Sequence, residues 1–378
     1  MIQIKEAKKL FAPYSFWVLA PHLESGDSNI QYYYDFTQSI REYTNVFSEL
    51  GVDWKWQFVT IKDYKEVICS IAKAGTSNPP LVINLCDGDE INGAPGVSVI
   101  KELEKHGIIY TGADEHFYNI TTSKIPMKKA FEKAGVPTGN WRVISEKRGS
   151  VKGLFKRVGT PLIIKPAVSG GSMGISVKNV VHTEEDLTNR IEELKNGFHG
   201  WNLMADKLIA EEFISGSADD PDNCIFYEPI EREFHHSLPD TEKMLSYDRL
   251  WETYEEESPM PENKYFYEYQ PVKKQLVKQL KKLSFKAFKA CGGKGYTRVD
   301  IRQNSTTGEL MLLEVNAQCG LSEDEDFTSI GAILKVSRVT FTQIIAEIIK
   351  DALRRSHMKE LIKNQAGSKT KSKRISAK

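Results

Sequence analysis

Across residues 1–120, short continuous apolar runs alternate with longer segments whose apolar positions recur every three to four residues. The first kind fits strands buried on both faces and the second fits amphipathic helices, so the order predicts a layered α/β domain. "FWVLA", "WKWQFVT", "PLVINLCDG" and "IIYTG" are the expected strands; residues 32–50, ended by Gly51, and "VSVIKELEKHG" are the expected helices. "KEAKKL" followed by "FAPYSFWVLA" imitates the charged and apolar parts of a secretory leader. No small-residue cleavage site follows, which favours a buried first strand.

The pattern restarts at Thr121 with "TTSKIPMKKAFEKAGVP", a hydroxyl cap, a helix, a stop at Gly135 and a proline two residues on. Between Thr160 and Val181, two β-branched runs joined by a glycine-rich loop predict a hairpin, and "KLIAEEFISG" a further strand. Residues 217–270, rich in Asp, Glu, Pro and Tyr, show no clear period. Irregular stretches of that length carry function or hide short elements. Residues 272–290 place Leu276, Leu280, Leu283, Ala287 and Ala290 on one helical side, with lysines mostly on the solvated other. A last helix is expected near "FTQIIAEIIKDALRR", and the basic tail "NQAGSKTKSKRISAK" lacks the apolar residues to offset ordering entropy.

Composition narrows the function classes. With 378 residues, 40% apolar and 27% charged content and zero formal net charge, the chain is an ordinary multidomain globular protein, with no overall charge to hold nucleic acid. Its five cysteines are odd in number and scattered, so free thiols in a reducing, cytoplasmic setting are expected, without a structural zinc site. No apolar run approaches the roughly 20 residues of a membrane span.

Three stretches carry chemistry. In "GYTRVDIRQNSTTGELMLLEVNAQCG", a turn at "NSTTG" sets Asp300 opposite Leu312 and Arg298 opposite Glu314. Side chains repeat every second residue and opposed residues share a face, so Arg298, Asp300, Glu314 and Asn316 project together. Two carboxylates and an amide oxygen form the hard donor set that suits Mg²⁺ completed by water and phosphate; a cross-strand salt bridge is the plainer alternative. In "KPAVSGGSMG", Gly170, Gly171 and Gly174 let backbone N–H groups approach a phosphate, Ser172 adds a donor, and Lys165 ends a buried strand where a charge calls for an anion. "LIAEEFISG" places Glu211 and Glu212 on a strand, where a carboxylate can accept from an adenine amino group or merely be solvated.

In this order the stretches resemble the ATP-grasp superfamily, most closely its D-alanine:D-alanine ligase-like branch, from "YTG" at Tyr110 to the last helix. The resemblance is only topological over the first strands. It implies an ATP-grasp fold of mixed α/β (α+β) class, with an N-terminal α/β domain over 1–120, a central subdomain carrying a lid over 121–209, a C-terminal subdomain with the metal site over 210–353, and a basic disordered tail over 354–378. By resemblance, Lys124 and Lys165 hold the ATP phosphates. Ser169, Gly170, Gly171, Ser172, Met173 and Gly174 form the lid, and Glu211, with Glu212, Phe213 and Ile214, receives the adenine. Asp300, Glu314 and Asn316 would bind two Mg²⁺ ions, with Mn²⁺ as a substitute. Arg298 would steady the transferred phosphoryl group, with Ser172 and Arg249 beside it, Arg249 standing in the family's lysine position.

The departures bear on the substrate. The family's N-terminal "GGxSxE" segment has no counterpart, the lid has Gly171 where a substrate-side serine is expected, and Leu250 replaces a tyrosine. Where the family receives an acceptor carboxylate, this chain has Glu323, Asp324, Glu325 and Asp326, which repel a carboxylate and suit a cationic group or plain solvation. The resemblance therefore implies ATP-dependent amide formation between a small carboxylate and a small amine other than two D-alanines, in a homodimer. A non-catalytic ATP-binding regulator and an ATP-grasp kinase are the alternatives.

Overall fold

The computed structural model describes residues 1–23, 34–75, 78–91, 93–144, 153–168, 172, 174–195, 211–217, 220–251, 257–261, 264–304 and 307–375, backbone only at 211–217, 220–223, 251 and 362–375. The chain opens with helix α1 (Ile4–Phe11), which buries Ala7 and Phe11, so "KEAKKL" is an amphipathic helix and not merely a charged lead-in. Then follow β1 (Ser15–Pro21), α2 (Thr37–Leu50), β2 (Trp54–Val59), α3 (Tyr64–Ala74), β3 (Pro80–Asn84), α4 (Val97–Lys105) and β4 (Ile109–Tyr110). The strands run parallel in the order β2-β1-β3-β4.

The unbroken apolar character of β1 and β3 follows from cover on both faces. Phe16, Val18, Leu81 and Ile83 join one core with α1 and α2, while Leu19 and Val82 join another with α3 and α4. Gly51 closes α2 in the left-handed region at φ 66°, returning its N–H to the carbonyl of Phe47.

Helix α5 (Glu115–Thr122) is capped by Asp114, whose Oδ1 accepts from the Phe117 N–H at 2.9 Å, and α6 (Lys124–Ala134) stops at Gly135. Next come α7 (Leu154–Val158), β5 (Leu162–Ile163), β6 (Val180–Val181) and α8 (Glu184–Lys195). The expected hairpin is present but pairs only two residues per strand, and it shares a small core with α8 through Leu162, Val181 and Leu187.

The remaining elements are β7 (Glu211–Ser217), β8 (Asp220–Phe226), β9 (Ile230–Phe234), α9 (Tyr247–Trp251), β10 (Tyr267–Pro271), α10 (Lys274–Ala290), β11 (Tyr296–Gln303), β12 (Leu310–Ala317), α11 (Ser329–Ser337) and α12 (Phe341–Ile375). An antiparallel sheet runs β10-β9-β7-β11-β12, with β8 also paired to β7. Among the described residues of 217–270 thus lie β8, β9, α9 and most of β10, which composition hid. The tail also departs from expectation, since α12 continues to Ile375. Elongating an anchored helix needs no new nucleus.

Helices α12 and α10 bind the two halves together. The Phe341 ring lies 5.7 Å from that of Tyr43 on α2, and Phe288 of α10 meets Phe117 of α5 edge-on at 5.3 Å. No described helix is long and apolar enough to cross a membrane.

Candidate active site

Strands β11 and β12 carry the centre. Asp300 pairs with Glu314 and Arg298 with Asn316, and a bulge follows between Asp300 and Ile301. The expected register differed by two residues. One comes from the turn, where Asn304 and not Gln303 faces Glu309, and the other from the bulge. An even shift preserves the face, so Arg298, Asp300, Glu314 and Asn316 still project together.

Asp300 is 2% exposed. Its Oδ1 accepts from Arg298 Nε at 2.9 Å, and its Oδ2 from Arg298 Nη2 at 3.0 Å and Asn316 Nδ2 at 2.9 Å. Lys124 Nζ lies 3.5 Å from Glu314 Oε2. Burial alone would raise the Glu314 carboxyl, but the charges of Lys124, Arg298, Lys165 and Lys128 outweigh it and hold the group below the ordinary carboxylate range. Lys124 thus pairs with a half-buried carboxylate on which the charges of Arg298, Lys165 and Lys128 also act.

Local folding explains how Lys124 and Lys165 arrive there. Lys124 is the first residue of α6, and its backbone N–H donates to the Ala167 carbonyl at 2.8 Å, tying the helix start to the segment just after Lys165. Lys165, 1% exposed, lies two residues past the end of β5. The base of the expected lid is knotted by Asn179, a residue the sequence did not single out. Its Oδ1 accepts from the Ser176 N–H and Arg190 Nη2, both at 2.8 Å, and its Nδ2 donates to the carbonyls of Gly174 and Ile164. Ser172 and Gly174 both adopt left-handed backbone, at φ 62° and 73°. Ser169, Gly170, Gly171 and Met173 lie outside the described residues.

Glu211, Glu212, Phe213 and Ile214 lie on β7, where the backbone of Glu211 pairs with Asp300 and that of Phe213 with Arg298. Their side chains are outside the described set. Arg249 departs from its expected role. Its side chain is fully buried, bonded through Nη2 to Glu242 Oε2 at 2.6 Å and the Ser258 carbonyl at 3.0 Å, and paired through Nε with Glu257. Burial raises the Glu257 carboxyl despite that arginine. Two carboxylates face Arg249, which makes it a packing hub of this acidic segment.

The acidic run divides. Asp324 Oδ1 accepts from the backbone N–H groups of Asp326 and Phe327 at 3.1 and 3.0 Å, and Glu325 pairs with Lys335 at 2.6 Å, so these two hold the loop and α11 together. Glu323 and Asp326 are exposed.

Gln318 was also illegible in the sequence. It sits in left-handed backbone at φ 53°, 2% exposed, with Nε2 donating to the Cys86 carbonyl at 3.0 Å and Oε1 accepting from the Ala113 N–H at 3.2 Å. It braces the end of β12 against the C-terminal end of β3, where open α/β sheets place ligands. A Cβ on Gly112 would come within 2.8 Å of the Gln318 side chain, which is why the "YTG" turn has no side chain there.

Two arms of one protein thus clasp a cation-rich face holding paired carboxylates, the arrangement of an ATP-grasp enzyme. The profile of the D-ala D-ala ligase C-terminus family matches residues 130–350, and the chain belongs to that family. It is accordingly an ADP-forming carbon–nitrogen ligase. It is similar to the D-alanine–D-alanine ligase of Marinobacter nauticus, at 25% identity over 86% of this chain and 96% of that protein. Among solved structures it resembles the D-alanine–D-alanine ligase of Bacillus anthracis complexed with ATP, at TM-score 0.62 and 16% identity, covering 92% of this chain and 99% of the other. Biotin carboxylase of Campylobacter jejuni shares the fold at TM-score 0.59 and 16% identity, over 89% and 70%.

Proposed function

We propose that the chain uses ATP to join a small carboxylate to a small amine through an acyl phosphate, on substrates other than two D-alanines. The supporting observation is the meeting of Lys124, Lys165 and Arg298 around Asp300, Glu314 and Asn316. A carboxylate and a triphosphate repel each other, and this cation cluster is what an in-line phosphoryl transfer between them requires.

The donor set fits Mg²⁺. Asp300 and Glu314 offer carboxylates and Asn316 an amide oxygen, and no group of three or more His, Cys, Asp and Glu converges among the described residues. That is the sparse protein contribution of a site completed by water and substrate phosphates. Bound there, Mg²⁺, or Mn²⁺ in its place, supplies charge neutralisation and orientation of the phosphate oxygens.

In this reading Lys124 and Lys165 bind the phosphates, and residues 169–174 close over them to exclude water. A carboxylate oxygen attacks the γ-phosphorus as the bond to ADP breaks, with Arg298 beside the transferring group. The amine nitrogen then attacks the acyl carbon, inorganic phosphate departs with the bonding pair, and the amine proton passes to solvent. Glu211 to Ile214 would receive the adenine, and the divisions at 120, 209 and 353 and a homodimer belong to the same proposal. The acidic run at 323–326 supports an acceptor other than an amino acid held by its carboxylate.

The test is phosphate release from ATP and Mg²⁺ across a panel of acids and amines, with products identified by mass. An amide plus ADP supports the proposal. A phosphate ester, or tight ATP binding without turnover on any pair, overturns it.

A further inference from the structure

Where α2 crosses the loop that leaves β12, carboxylates meet without a cation among the described residues. Glu42 of α2 is 4% exposed. Its Oε1 accepts from Ser322 Oγ at 2.6 Å, Gln38 Nε2 at 3.0 Å and the Glu323 N–H at 3.2 Å, which clamps it to the acidic loop. Its Oε2 is buried and meets no hydrogen-bond donor among the described residues. Burial first, and the Glu42 charge second, push the neighbouring Glu323 carboxyl up. Asp324 Oδ2 lies 3.4 Å from the same Gln38 amide.

The contrast with the phosphate side is sharp. Glu314 is held by four cations and Glu325 by Lys335, whereas no described lysine, arginine or histidine pairs with Glu42, Glu323 or Asp324. An orphaned carboxylate oxygen inside protein costs free energy that a positive partner removes. Glu323 lies seven residues beyond Asn316, on the chain leaving the metal-bearing strand.

We propose that Glu42 and Glu323, with Asp324 beside them, receive a cationic group on the amine substrate, so that the acceptor is a diamine or basic amino acid. This rests on the ligase reading above and names its acceptor class. One amine attacks the acyl carbon while the second positive group sits against the acid pair.

Calorimetry on the full chain at neutral pH, without ATP, compares 1,4-diaminobutane with 1-aminobutane. The diamine is expected to bind at least about tenfold more tightly. Glu323→Gln, on the exposed loop, and the near-isosteric Glu42→Gln should each remove at least about tenfold of that affinity. Glu325→Gln, which deletes the same charge from the group facing Lys335, should change it by less than about twofold. Equal affinity for the two amines, indifference to Glu323→Gln, or displacement of the diamine by Mg²⁺ alone overturns the proposal. Diamine binding without phosphate release on any carboxylate would instead leave this acid pair standing as a cation site and remove the ligase reading. Turnover confined to neutral amines would do the reverse.

Discussion

The backbone N–H of Lys124 donates to the carbonyl of Ala167 at 2.8 Å, joining the first turn of α6 to the segment that carries Lys165. Two lysines 41 positions apart in the chain are thereby set against one carboxylate, Glu314. Replacing Lys165 by Met should leave this backbone link intact while removing charge, so the ATP dissociation constant should rise by about tenfold or more with little change in melting temperature. Calorimetry with ATP and a thermal melt check both halves.

Asp300→Asn and Glu314→Gln should each lower Mg²⁺-dependent turnover by at least about 100-fold, since even outer-shell partners of a metal commonly cost 10–100-fold. Mn²⁺ binding followed by electron paramagnetic resonance should weaken in parallel. Unchanged metal affinity in both variants would remove the assignment.

Glu314 also sets a pH dependence. Its carboxyl is held below the ordinary range because four cations outweigh burial, so the folded state favours the charged form. Such a group contributes stability that is fully present above its unfolded value and vanishes as pH falls through its folded one. The difference in denaturant midpoint between the natural chain and Glu314→Gln should therefore be present at neutral pH and close below about pH 4.

Arg249→Ala would strand Glu242 and Glu257 around an empty buried position. A loss of about 3–5 kcal/mol is expected, read by urea unfolding. Glu257→Gln should cost less, because Glu242 and the Ser258 carbonyl still face the guanidinium. If Arg249→Ala folds with native stability but fails to bind ATP, Arg249 is a phosphate contact after all.

The shared face of Arg298, Asp300, Glu314 and Asn316 was legible in the sequence because parity is robust. The turn and the bulge each moved the β11–β12 register by one residue, and two odd errors left Arg298, Asp300, Glu314 and Asn316 on one side. Contacts between distant elements left no local trace. Nothing around Asn179 distinguishes it from a polar loop residue until its amide is seen holding Gly174 and Ile164 at once. Glu42 reads as one more charge on an amphipathic helix, and only the crossing loop buries it. Arg249 likewise carries no mark in the sequence of the two acids folded against it.

Gln318 combines a left-handed backbone with a bonded side chain, and the two contributions separate by substitution. Gln318→Gly should relieve about 1–2 kcal/mol of backbone strain relative to Gln318→Ala, while both lose the same hydrogen bonds. Alanine is thus the more damaging change, measurable by thermal unfolding.

That brace has a mechanical corollary. Because the amide of Gln318 pins the far end of β12 to Cys86 and Ala113, the parallel and antiparallel sheets are riveted at this corner. The β5–β6 pairing has no such rivet and joins only two residues per strand, so the load on this side falls on the Asn179 knot.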